Sequence, residues 1–106
     1  MFAKELKKFI IEYDMDAKVV ECFNDYFNQY RKEHLEEFNQ LFDCYDPSKI
    51  ETWLHSVSLK GYNWPELDYC NVVIELKILY DDEEIGVYQL FCDLNGNITD
   101  DVLRIH

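Results

Sequence analysis

Apolar residues recur at steps of three and four through the first 46 positions and at steps of two from position 69 onward. The first spacing belongs to helices with one buried stripe, the second to strands with one buried face. Phe2, Leu6, Phe9, Ile10 and Tyr13, with Lys4, Lys7, Lys8 and Glu12 between them, predict a short amphipathic helix over 2–13. Asp14 and Asp16 are candidate N-caps for the next one. Val19, Val20, Phe23, Phe27, Tyr30, His34, Phe38, Leu41 and Tyr45 then continue the spacing, widened by Leu35 and Phe42, with no Gly or Pro over 15–46. A single helix of about 30 residues would span about 45 Å, longer than a domain of this size needs, so a bend near Arg31–His34 is expected.

"DPSKIETWLHSV" carries two helix-start signals, Pro47 in the first turn and Ser48 with Glu51 at capping-box spacing. Ile50, Trp53, Leu54 and Val57 supply an apolar stripe, so a third helix is predicted to about residue 58. "KGYNWPELD" follows as a loop. Three strands complete the chain: "YCNVVIELKILYD", with Val72, Ile74, Leu76, Ile78 and Tyr80 on one face and Glu75 and Lys77 on the other, then "IGVYQLFCDL" after a charged "DDEE" turn, then "NITDDVLRIH". The expectation is a single α+β domain over 1–106, in which about three N-terminal helices (about 2–58) pack on a three-stranded antiparallel meander (about 69–106).

"DLNGNITDD" resembles part of an EF-hand loop. With Gly96 in the sixth place, however, the two end ligands fall on Phe91 and Val102, which are hydrocarbon, and the flanks alternate as strands. Asn95-Gly96 is instead a hairpin turn. That register sets Phe91 opposite Asp100 and Leu90 opposite Asp101, a poor match that calls for a bulge near Thr99–Asp101.

Charge changes the picture most. The 22 Asp and Glu against 10 Lys and Arg give a formal net charge of −12. Residues 1–60 carry −4 and residues 61–106 carry −8, the latter with only Lys77 and Arg104 as cations. Such a field repels nucleic acid and anionic lipid and speeds encounter with basic partners. The candidate binding residues are therefore Asp81, Asp82, Glu83, Glu84, Asp93, Asp100 and Asp101, joined by the aromatics Tyr62, Trp64 and Tyr69 of the loop after residue 60.

Catalytic signatures are not evident. His34 and Glu37 stand three apart on one helical face, but in the reverse order and single copy of a carboxylate-bridged metal site. His55 has no companion motif, and no zinc spacing, phosphate loop or nucleophile elbow occurs. No cofactor or metal is expected. Cys22, Cys44, Cys70 and Cys92 are scattered among apolar neighbours, as buried reduced thiols are, and no signal peptide or membrane-length apolar run occurs, which points to the cytosol.

The composition thus favours a small acidic cytosolic protein engaging a basic protein, in the manner of an immunity protein, an antitoxin or a nucleic-acid mimic. The rival is a cystatin-like cone whose curved sheet wraps an apolar pocket for a small ligand, although no residue motif carries that resemblance. A homodimer joined through exposed aromatics is a third reading.

Overall fold

The computed structural model describes residues 3–106; Phe2, placed on the first helix by its spacing, lies outside them. Three helices, α1 (Ala3–Glu12), α2 (Met15–Glu33) and α3 (Leu35–Leu41), precede a short 3₁₀ turn at Pro47–Lys49. Four strands follow, β1 (Ile50–Tyr62), β2 (Tyr69–Tyr80), β3 (Glu83–Cys92) and β4 (Ile98–Ile105), in one antiparallel sheet of order β1-β2-β3-β4. The class is α+β, with four strands where three were expected.

The extra strand is the segment expected to be the third helix, and the error has a physical source. β1 turns Ile50, Thr52 and Leu54 toward the helices, then bulges between Leu54 and Ser56, so that Val57 rather than Ser56 is next to face inward. The bulge shifts a period of two into the spacing 50, 54, 57, which a helix shares. The capping signal is absorbed differently as well. Asp46 accepts hydrogen bonds from the Ser48 N–H (3.0 Å) and hydroxyl (2.8 Å), closing the 3₁₀ turn instead of a capping box.

The break in the long helical segment falls where expected. His34 leaves helical geometry (φ −127°, ψ 50°), its N–H still bonded to the Tyr30 carbonyl at 2.9 Å. In a straight helix Phe27 and Phe38 would stand about 16 Å apart along the axis. Their ring centroids are 5.5 Å apart, because α3 folds back on α2. Phe42, Tyr45 and Tyr80 extend this aromatic cluster, and the Arg31 guanidinium lies over Phe38 (5.4 Å) and Tyr45 (5.0 Å). Asp14 precedes α2 in a left-handed conformation (φ 53°) without a side-chain capping bond.

The core lies between the helices and one face of the sheet. Phe9, Met15, Val19, Phe23 and Phe27 meet Val72, Ile74, Leu76, Ile78, Tyr88, Leu90 and Cys92, all buried. The opposite face has no helix over it. Its outward positions are Trp53 on β1, Val73, Glu75, Lys77 and Leu79 on β2, Val87, Gln89 and Phe91 on β3, and Asp100, Val102 and Arg104 on β4.

The Asn95-Gly96 hairpin is confirmed, with a longer loop than two residues. Asp93–Asn97 reverses the chain, Gly96 N–H bonds the Asp93 carbonyl (3.2 Å), and only Gly96 takes positive φ there (83°). A bulge lies in the expected stretch, with Phe91 paired to Asp100, Cys92 to Ile98 and Thr99 unpaired, but it does not re-phase the strand: Phe91 still faces Asp100 and Leu90 still faces Asp101. Since Tyr13 packs beneath this turn, a Cβ on Gly96 would stand 2.4 Å from Tyr13 Cδ1. Gly96→Ala is expected to destabilise the fold by about 1–3 kcal/mol, from backbone strain and the clash together. A urea midpoint equal to wild type would contradict this geometry.

Candidate functional site

The sites inferred from sequence separate into an acidic end, an aromatic tip and two faces of one strand. At the acidic end, Tyr80 and Glu83 flank a two-residue turn whose central residues Asp81 (φ 52°) and Asp82 (φ 65°) both take left-handed geometry, as a type I′ hairpin requires. The Asp81 N–H bonds the Lys49 carbonyl at 3.1 Å, and the Asp46 N–H bonds the Tyr80 hydroxyl oxygen at 2.9 Å. These ties bring Asp46 to the end where Asp81, Asp82, Glu83 and Glu84 are exposed, and Glu51 pairs across from Leu79 nearby. Sequence reasoning passed over Asp46 and Glu51. For Glu51 the signal lay in β1, once its strand period is recognised; Asp46 precedes the 3₁₀ turn, outside β1. Ser48 donors hold the Asp46 carboxyl below the usual carboxylate range.

Asp93 belongs to the opposite end, because successive turns of a meander alternate ends. Its carboxylate accepts from the backbone N–H of Asn97 (2.9 Å) and Asn95 (2.9 Å) and from the Asn97 amide (3.0 Å). Those bonds, the Asn97 ones foremost, lower its pKa. The group builds the turn. Among the described residues no three His, Cys, Asp or Glu side chains are grouped to hold a metal ion.

Asp100 and Asp101 are neighbours in sequence and point to opposite faces. Asp100 is exposed on the open face, opposite Phe91, while Asp101 is half-buried on the helix face. The buried Tyr88 hydroxyl donates to Asp101 Oδ2 at 2.7 Å, which resolves the mismatch of an acid set against Leu90. Burial first, then the bond and charge of Asp101, push the Tyr88 phenol far up. Burial, followed by the charges of Asp101, Asp25 and Glu21, raises the half-buried Cys22 thiol of α2.

The aromatics do converge. β1 and β2 run beyond the end of β3 as a two-stranded ribbon, since Cys92 pairs Val72 while Tyr62 pairs Tyr69. The Tyr62 and Tyr69 rings lie 5.3 Å apart, with Lys60 Nζ 5.1 Å from the Tyr62 ring centroid. Beyond them the 63–68 loop is tied by the Asn63 amide to Asp68 (2.7 Å) and the Leu67 N–H to the Asn63 carbonyl (2.8 Å). Leu67, at φ 50°, lays its side chain on Gly61. The fixed loop leaves Trp64 at 82% exposure. Lys60, Gly61 and Tyr62, expected in the loop, belong to β1.

His34 is exposed at the α2–α3 junction, 5.6 Å ring to ring from Tyr30, where Tyr26, Gln29, Tyr30, Glu33 and His34 line an open cleft of about 300 Å³. His55 is exposed at the β1 bulge. The cysteines are free; Cys92 is buried and Cys22 and Cys70 half-buried, but Cys44 is exposed, against expectation. Among the described residues no helix is long and apolar enough to cross a membrane.

No family model, curated protein or solved structure matches this chain.

Proposed function

We propose that the protein captures a basic protein partner, steered by its charge and held by its aromatic tip. The observation that carries this reading is the state of the carboxylates. Among the described residues one ion pair forms, Lys77 Nζ to Glu84 Oε1 at 3.6 Å, and it is partly exposed. The rest of the negative field is left for solvent or a partner. Trp64 on its fixed loop supports the second half, because a large ring held outward loses little entropy when another surface covers it.

Capture of a basic active site, as by an immunity protein or antitoxin, fits this layout better than mimicry of a phosphate row. Asp81–Glu84, Asp93 and Asp100 lie at two ends and one face of a molecule 48 Å long and form no single line. A pocket for a small ligand has less support, since Phe23, Phe27, Phe38 and Tyr88 fill the space between helices and sheet.

The test uses the partner captured on immobilised protein at low salt, with binding rates then measured across ionic strength. Association is expected to slow at least tenfold from low to physiological salt. Neutralising Asp81, Asp82, Glu83 and Glu84 to their amides should flatten that dependence. Trp64→Ala should instead speed dissociation about 10- to 100-fold. An association rate indifferent to salt would remove the steering half of the proposal.

A further inference from the structure

The second face of the sheet has a surface that charge alone does not explain. Antiparallel sheets commonly leave one face to water and line it with polar residues. Here the outward positions of the two central strands include Val73, Leu79, Val87 and Phe91, with Val102 beside them on β4 and Trp53 on β1. None of them joins the core formed with the helices. Trp53 is 58% exposed, its ring 5.9 Å from Lys77 Nζ.

The register arranges this face in rows that cross the sheet. One row is Trp53, Lys77, Val87 and Arg104; the next is Ser56, Glu75, Gln89 and Val102; the third is Ser58, Val73, Phe91 and Asp100. With Glu51 and Glu84 at one end and Lys60 at the other, the face carries three cations against four acids. Its formal charge is −1 in a chain of −12. The Asp81–Glu84 end, by contrast, is strongly negative and would repel its own copy.

We infer that this face is the interface of a two-fold homodimer, sheet on sheet. A two-fold axis lying between the two faces, parallel to the rows and midway between the first two, sets Lys77 and Arg104 of one copy over the row of Glu75 in the other. A two-fold contact must be self-complementary in this way. Stacked sheets lie about 10 Å apart with strands within about 30° of parallel. Four strands about 4.8 Å apart and about eight residues long give a face of about 500 Å². Two such faces bury about 1,000 Å², the size at which specific interfaces begin. This inference is independent of the partner proposed above and leaves both the Trp64 tip and the Asp81–Glu83 turn uncovered.

The chain has 2 tryptophans, so Trp64→Phe leaves Trp53 as the sole reporter. Sedimentation equilibrium and fluorescence are followed together as this variant is concentrated from sub-micromolar to high micromolar. The expected result is a mass rising from 12.8 kDa to twice that value, with a blue shift of Trp53 emission at the same midpoint. Adding Val87→Glu should weaken association at least tenfold, with the far-ultraviolet dichroism of the parent retained. A monomer at every concentration overturns the inference. So does a dimer in which Trp53 emission stays fixed, which would place the contact at the tip or a strand edge. Should Val87→Glu disturb folding, the Trp53 shift in the parent still decides the question.

Discussion

Phe23→Ala is expected to cost about 3–5 kcal/mol, the largest loss from any single truncation considered for this chain. Phe23 is 1% exposed on the inward face of α2. It stacks on Phe27 with centroids 5.3 Å apart and meets Tyr88 edge-on at 5.6 Å, joining helix layer to sheet. Removing the ring opens a cavity that Val19 and Leu90, both fully buried, are too constrained to fill. Domains of this kind have about 5–15 kcal/mol of stability, so the variant loses about a fifth or more of it. Trp64→Ala removes an even larger ring, and at 82% exposure it is expected to change stability by less than about 0.5 kcal/mol. Urea unfolding of the two variants side by side checks the contrast. If Trp64→Ala proved comparably damaging, the tip would be a structural element, and its proposed part in binding would be lost.

Much of this architecture was legible because burial follows period. The inward positions of β2 are those that the alternation of Val72, Ile74, Leu76 and Ile78 names, and the helix breaks at His34, within the stretch expected to bend, although a molecule 48 Å long could have held an unbroken rod. The sequence of β1 has a helix-like spacing for a reason that applies beyond this chain. A bulge inserts one residue into a period of two, and two half-strands out of phase produce helical steps. Thr52 and Val57 are β-branched and Trp53 is aromatic, all favourable in strands, and their enrichment was the available counter-signal. The bulge at Thr99 falls in the stretch where the register is in conflict, but the conflict stays, and the Tyr88 hydroxyl bonded to Asp101 is what accommodates it on the helix face.

The candidate site was legible in composition and less so in arrangement. Sequence gave the excess of acids; only topology separates Asp81–Glu84 from Asp93, and only the pleat separates Asp100 from Asp101. Tyr62 and Tyr69 lie together because a hairpin makes residues near its turn neighbours, while Trp64 stands exposed on the loop between them. The open face escaped notice for a different reason. Val73, Val87, Phe91 and Val102 look like core in a one-dimensional pattern. That they face away from the helices emerges only once four strands share one sheet.

Raising the pH is expected to unfold the protein through groups that the fold keeps protonated. In the unfolded chain a Cys thiol ionises near pH 9 and a Tyr phenol near pH 10. In the folded chain burial, followed by the charges of Cys22 and Asp93, pushes Cys92 up to about 11. Burial and Asp101 raise Tyr88 much further. A pKa raised by folding means that the native state binds protons more tightly. Its contribution is fully present below the unfolded pKa and is lost as pH climbs through the folded value. For Cys92 the window runs from pH 9 to about 11 and amounts to about 3 kcal/mol; Tyr88 adds a loss that starts near pH 10 and does not level off there. Cys22, Tyr30 and Tyr45 are raised as well, so they act in the same direction. Urea midpoints taken from pH 7 to 11 should therefore fall steeply above pH 9. Tyr88→Phe separates the two components. At pH 7 it should lose about 1.5–3 kcal/mol with the hydrogen bond to Asp101. Above pH 10 its stability should fall less steeply than wild type, because no phenol remains to ionise at that position. Parallel curves for the two proteins at high pH would show that Tyr88 titrates as it does in the unfolded chain, and the buried bond to Asp101 would have to be abandoned.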